Sequence, residues 1–119
     1  MATRSRIRMQ LPSGKTRSVY CHSDGYPSHN GRILKEFYNT TEKVEELLAL
    51  GDLSYLSERV KPNPGESHSF ANPNYDITCA YHRDRGEELR TGHDSPEEYD
   101  YVWNGEKWQL HDGHELYSF

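Results

Sequence analysis

With 119 residues, a formal charge of −5 and only 33% hydrophobic residues, the chain is limited to one domain, spanning residues 1–119, with a modest core. No apolar run approaches the roughly 20 residues of a membrane-spanning helix. A pI near 5.8 disfavours direct binding to DNA or RNA, which calls for a clustered basic face.

Mean hydropathy is −1.04, yet nine Tyr, three Phe and two Trp supply bulk that disordered chains lack, so a thin, tyrosine-rich core is expected. Charge is unevenly placed. Arg4, Arg6, Arg8, Lys15 and Arg17 open the chain without an acid, whereas Glu42, Glu45, Glu46 and the run Glu97-Glu98-Tyr99-Asp100 are acidic. Two distant cysteines, Cys21 and Cys79, with no apolar signal-like segment, predict free thiols in a reducing cytoplasm.

Ile7, Met9 and Leu11 alternate with Arg6, Arg8 and Gln10, the period-two pattern of a half-buried strand, and Pro12-Ser13-Gly14-Lys15 supplies a turn. Residues 16–22 return as a second strand, with Val19 and Cys21 on one face and Tyr20 and His22 on the other. After the Asp24-Gly25-Tyr26-Pro27 turn, Ile33, Leu34, Phe37 and Tyr38 recur at helical spacing. Thr41 caps a second helix whose apolar side is Val44, Leu47, Leu48 and Leu50, and Gly51 ends it. Residues 53–60 read as a further short turn and residues 61–74 as Pro- and Asn-rich loop, with Phe70 pinning it. Residues 75–82 read as a strand with Ile77, Cys79 and Tyr81 on one side, and Arg83-Asp84-Arg85-Gly86-Glu87 as an exposed charged turn. Asn104-Gly105, between residues 99–103 and 107–110, is a strong hairpin signal. The outline is an α+β domain: an antiparallel sheet of about four to five strands with two or three short helices on one face.

The stretches Ser18-Val19-Tyr20-Cys21-His22, Asp24-Gly25-Tyr26-Pro27, Ala49-Leu50-Gly51-Asp52-Leu53-Ser54 and Arg83-Asp84-Arg85-Gly86-Glu87 together resemble a family of small proteins common in tailed bacteriophages and prophages. The resemblance implies an early accessory protein made in the cytoplasm of a bacterial host, of a kind that often disarms host defence. It carries over no catalytic residue and names no target.

Chemistry concentrates in residues 18–31, where an imidazole, a carboxylate, a phenol, a thiol and glycines exceed what a turn requires. His22, Tyr26, Arg83 and Arg85 are donors suited to phosphate, and Tyr20, Tyr26 or Trp103 offers a stacking face for a base. With Asp24 they make a candidate pocket for an anionic, nucleotide-like molecule, held as a sponge holds it and not transformed. The plainer reading pairs Arg83, Asp84, Arg85 and Glu87 on the surface. A second hypothesis is an inhibitor docking on a host defence protein, as an anti-CRISPR protein does, through Glu97, Glu98, Tyr99, Asp100 and Tyr101. A third is a small hydrolase using Cys21, or His22 oriented by Asp24, although no nucleophile elbow or oxyanion motif accompanies them. Seven histidines raise metal binding through Cys21-His22, Cys79-x-x-His82 or His111-x-x-His114, but adjacent strand residues point oppositely and the spacing is not that of a finger, so no metal or cofactor is expected. A homodimer suits the thin aromatic core.

Overall fold

The computed structural model describes residues 3–93, 97–111 and 116–118. One sheet runs through them in the order β4-β3-β2-β1-β5-β6-β7. Its strands are β1 (Ser5–Gln10), β2 (Thr16–Cys21), β3 (Leu53–Tyr55), β4 (Cys79–Ala80), β5 (Tyr99–Trp103), β6 (Trp108–His111) and β7 (Leu116–Ser118). The helices are α1 (Arg32–Phe37), α2 (Thr41–Leu48) and α3 (Tyr81–Arg85), and a wide turn over Pro27–Gly31 leads into α1. The molecule is an α+β domain.

The sheet is mixed, not antiparallel, and among the described residues has seven strands, not four or five. Strands β1 and β2 form the expected hairpin, but β2 and β3 are parallel, as are β1 and β5. The reason lies in the helical insert. Parallel neighbours need a crossover of a dozen or more residues, and the α1–α2 segment supplies one between β2 and β3. Two local readings also shift. Residues 53–55 continue the sheet instead of turning, and the strand expected over residues 75–82 shrinks to Cys79–Ala80 before α3 begins at Tyr81.

Helix α2 starts one residue earlier than its sequence cap suggests, because the Thr40 side chain accepts the Lys43 N–H at 3.3 Å. Its Val44, Leu47 and Leu48 are buried in one cluster with Ile7, Met9 and Val19 of the sheet and Ile33 and Leu34 of α1. The aromatic residues give this core its specificity. Tyr101 donates to the Gly25 carbonyl at 2.6 Å, Trp108 Nε1 to the Tyr38 carbonyl at 2.8 Å and Tyr38 to the Ser57 carbonyl at 2.8 Å. Each ring buries its body while its polar tip satisfies a backbone group, so a hydrophilic composition still closes a core. Gly25 is required by space: a Cβ there would stand 2.8 Å from the Ser5 Cβ and 2.9 Å from the Thr3 carbonyl oxygen.

The opposite face of β1 carries charge. Arg6 Nε and Nη2 reach the two Asp100 oxygens at 3.1 and 2.5 Å, and Arg8 reaches the same pair at 3.0 and 3.0 Å. Asp100 is 2% exposed and Arg6 8%, so the carboxylate is the anion on which two largely desolvated guanidinium groups rely. Asp100→Asn keeps the shape and removes that charge. Urea denaturation of this variant is expected to show a loss of about 3–5 kcal/mol, and a loss below about 1 kcal/mol, the scale of an exposed pair, would show that solvent does the balancing instead.

Candidate functional site

Helix α3 leaves β4 where the Asp84 carboxylate turns back to accept the Ala80 N–H at 2.8 Å, and Gly86 ends it in the left-handed conformation at φ 79°. Beyond it the chain doubles back along β2 and β3: Asp52 N–H donates to the Arg90 carbonyl at 2.9 Å and Gly92 N–H to the Ser18 carbonyl at 2.8 Å. Between α3, this returning segment and the end of β2 lies a cleft of about 260 Å³. That is slightly below the roughly 300–1,000 Å³ of most small-ligand pockets.

Half-buried Tyr20, Asp52 and Tyr81 form its floor, and exposed Arg85, Arg90, His82, Glu87 and Glu88 form its rim. Asp52 uses one oxygen to accept the Tyr20 N–H at 2.9 Å. Burial raises the Tyr20 phenol, against the lowering effect of Arg4, and burial likewise raises Tyr81 against its bond to Ser54. Both rings are therefore neutral hydroxyl donors at physiological pH. The cleft combines two phenol rings, a half-buried carboxylate acceptor and guanidinium groups at the mouth.

Of the residues singled out from sequence, Tyr20 and Arg85 line this cleft together. His22 stands beside it, its Nδ1 paired with the Tyr20 hydroxyl at 2.7 Å. Arg83 turns away to bond Asp84 at 2.9 Å, the Thr78 carbonyl at 2.7 Å and the Val60 carbonyl, and so works as a brace between α3 and the strand region. Asp24 and Tyr26 line no part of the cleft. They bond each other at 3.4 Å, with Tyr26 packed on His29 at 6.0 Å between ring centroids and Asp24 in the left-handed region at φ 55°. Trp103 is buried and donates to Thr41 at 3.1 Å. Asp52, Tyr81, Glu88 and Arg90 were not singled out as site residues from sequence, and His82 was raised only as a metal ligand; Asp52 had the one available signal, its place within the Gly51-Asp52-Leu53-Ser54 stretch.

The acidic stripe is not a continuous exposed face. Asp100 and Tyr101 are 2% and 0% exposed, Glu97 bonds His93 at 3.2 Å and Tyr99 packs against the core, which leaves Glu98 as the exposed member. The hydrolase constellations do not assemble either. His22 bonds Tyr20, not Asp24, and Cys21 lies on the buried face of β2.

Among the described residues one set of metal-type donors converges, His68, Cys79 and Asp84, with ligand atoms all within 4.8 Å of one another. Its imidazole is engaged by the loop backbone through one nitrogen. His68 Nδ1 accepts the Asn74 N–H at 2.9 Å, whereas an imidazole that binds a metal donates through its second nitrogen. The ring proton then sits on Nε2, which is buried, faces Asp84 Oδ2 at 3.4 Å and makes no hydrogen bond among the described residues. Asp84 is also engaged by Arg83 and Ala80. Burial pushes its carboxyl up, but these hydrogen bonds outweigh burial and hold it below the usual carboxylate range. His114 of the remaining histidine pair lies outside the described residues.

No family model matches the chain, and neither the curated proteins nor the solved structures contain a significant match. No helix among the described residues is long and apolar enough to cross a membrane.

Two measurements check this arrangement. Cys21 and Cys79 are 0% and 2% exposed and burial pushes both thiols up to about 11, so Ellman's reagent at pH 8 is expected to label neither in the native protein and both after denaturation. Prompt native labelling of Cys79 would mean that α3 and the loop over it are not closed. For Asp84, a depressed acid stabilises the fold above the roughly 3.9 of an unfolded aspartate and loses that contribution as pH falls through its lower folded value. Amide exchange in α3 is thus expected to stay protected at pH 5 and to accelerate in strong acid.

Proposed function

We propose that this chain is a binding protein, a phage accessory protein acting in the bacterial cytoplasm, that holds a small anionic, nucleotide-like molecule in the Tyr20–Arg85 cleft without transforming it. The observation that carries this reading is the meeting of Tyr20 from β2, Asp52 before β3 and Arg85 from α3 around one cavity of nucleotide-fragment size. A phosphate fits the guanidinium rim because Arg presents paired N–H donors to its oxygens. A sugar hydroxyl or base N–H fits the free oxygen of Asp52, and a base fits between phenol rings that are neutral and rich in π surface. The charges are mixed, with Asp52, Glu87 and Glu88 against Arg85 and Arg90. That balance favours a ligand carrying both donors and an anion over a bare phosphate.

Sequestration is favoured over catalysis because both thiols are buried and His22 pairs with Tyr20, with no carboxylate partner among the described residues. Three of the stretches that carry the resemblance to phage accessory proteins contribute Tyr20, Asp52, Arg85 and Glu87 to the same cleft, which supports a counter-defence role in which a nucleotide-derived host signal is withdrawn from use. Calorimetric titration with adenosine 5′-monophosphate and guanosine 5′-monophosphate tests the site, and mass spectrometry of the supernatant from boiled protein tests for a captured ligand. Binding of at least one probe, recovery of ligand at unchanged mass, and a loss of roughly tenfold or more in Arg85→Ala, the scale of a charge-assisted hydrogen bond, are expected. Absence of any binding, or conversion of the probe during incubation, would defeat the proposal.

A further inference from the structure

Residues 61–75 form a long connection without a helix or strand of its own, a length that in a domain of this size usually serves function. It is tied down at several points. Arg59 grips Glu66 at 2.7 and 3.0 Å, Asn74 Nδ2 bonds the same carboxylate at 3.1 Å, and His68 accepts the Asn74 N–H. At its crest the Phe70 N–H donates to the Asp84 carbonyl at 3.1 Å, which lays the loop on α3. The Phe70 ring consequently stands with its centroid 4.8 Å from Arg85 Cζ and 6.1 Å from the centre of the Tyr81 ring.

Arg85 is otherwise weakly held. Its side chain is 56% exposed, Nε faces Glu87 at 3.4 Å, and its two Nη groups have no hydrogen-bond partner among the described residues. A guanidinium on a flexible stem loses much of its advantage as an anion clamp, because ordering it on binding costs rotamer entropy. An aromatic face restores that advantage. It attracts the cation through the ring quadrupole while leaving the N–H edge free for a ligand.

We infer that Phe70 is a positioning residue of the ligand site: the 61–75 loop delivers its ring to hold the Arg85 guanidinium over the cleft, with the Nη edge presented to the ligand's phosphate. The inference rests on the nucleotide-binding reading above and adds to it a part of the chain that does not line the cavity. It also assigns the loop a task, because the Phe70 N–H bond to the Asp84 carbonyl ties the loop to the helix that carries Arg85.

The test compares adenosine 5′-monophosphate with adenosine by NMR titration of the whole protein in wild type, Phe70→Leu, Phe70→Trp, Arg85→Ala and the Phe70→Leu/Arg85→Ala double variant. Phe70→Leu is expected to weaken the monophosphate about three- to fivefold, the scale of an exposed cation–π contact, while leaving adenosine unchanged. Phe70→Trp is expected to hold or improve affinity, and Phe70→Leu should cost nothing further once Arg85 is absent. Equal weakening of adenosine and its monophosphate, or the same loss in the Arg85→Ala background, would overturn the inference in favour of a simple wall. If wild type binds the monophosphate and Phe70→Leu binds it equally well, this inference fails alone. If wild type binds neither probe, it fails together with the functional reading.

Discussion

Two arginines closing on one aspartate set the frame of this molecule. Arg6 and Arg8 lie two residues apart on the same face of β1, an arrangement that repels itself unless an anion stands opposite. Asp100 provides that anion because β5 lies parallel to β1 with Arg6 in register with Asp100. A slip of one residue would turn Asp100 toward the apolar core and leave both guanidinium groups without it. The charge cluster and the apolar face of Ile7, Met9, Tyr101 and Trp103 therefore specify the same register from opposite sides of the sheet.

The cleft follows from that choice. With β5 fixed on one flank of β1 and β4 at the far edge beyond β2 and β3, the chain leaving α3 has to travel back past β3 and β2 before it reaches β5. On the way it bonds Asp52 and Ser18, and this return path brings Arg90 and Glu88 to the cleft mouth. With β5 beside β4 instead, the segment would have no reason to pass there. The site is a by-product of sheet order as much as of local sequence.

Its parts were unequally legible. Period-two alternation in residues 6–11 and 16–22 announced β1 and β2, helical spacing announced α1 and α2, and Asn104-Gly105 announced the turn between β5 and β6, because each depends on neighbours along the chain. Tyr20 and Arg85 stood out as a phenol and a guanidinium in motif-like surroundings. Asp52 and Arg90 did not, since an aspartate after a helix-ending glycine and an arginine in a polar stretch look like ordinary surface. Asp24, Tyr26 and Arg83 misled for a related reason: their polar groups satisfy local partners, as an Asp–Tyr pair and a backbone brace, and polarity alone cannot distinguish such a use from an open site. Asp100 was read as exposed because its acidic neighbours Glu97 and Glu98 suggested a solvated stripe, while its partners sat more than ninety residues upstream.

The sequence by itself determined the α+β class, the hairpin of β1 and β2 and the two helices behind it, all of which arise from periodicity and local backbone preference. Tertiary structure alone decided which strands run parallel, that Asp100 is the buried counter-ion of Arg6 and Arg8, and that Tyr20, Asp52, Arg85 and Phe70 belong to one neighbourhood. Those outcomes depend on crossover connections and on charges that meet across the length of the chain, and no local pattern encodes where such groups will find one another.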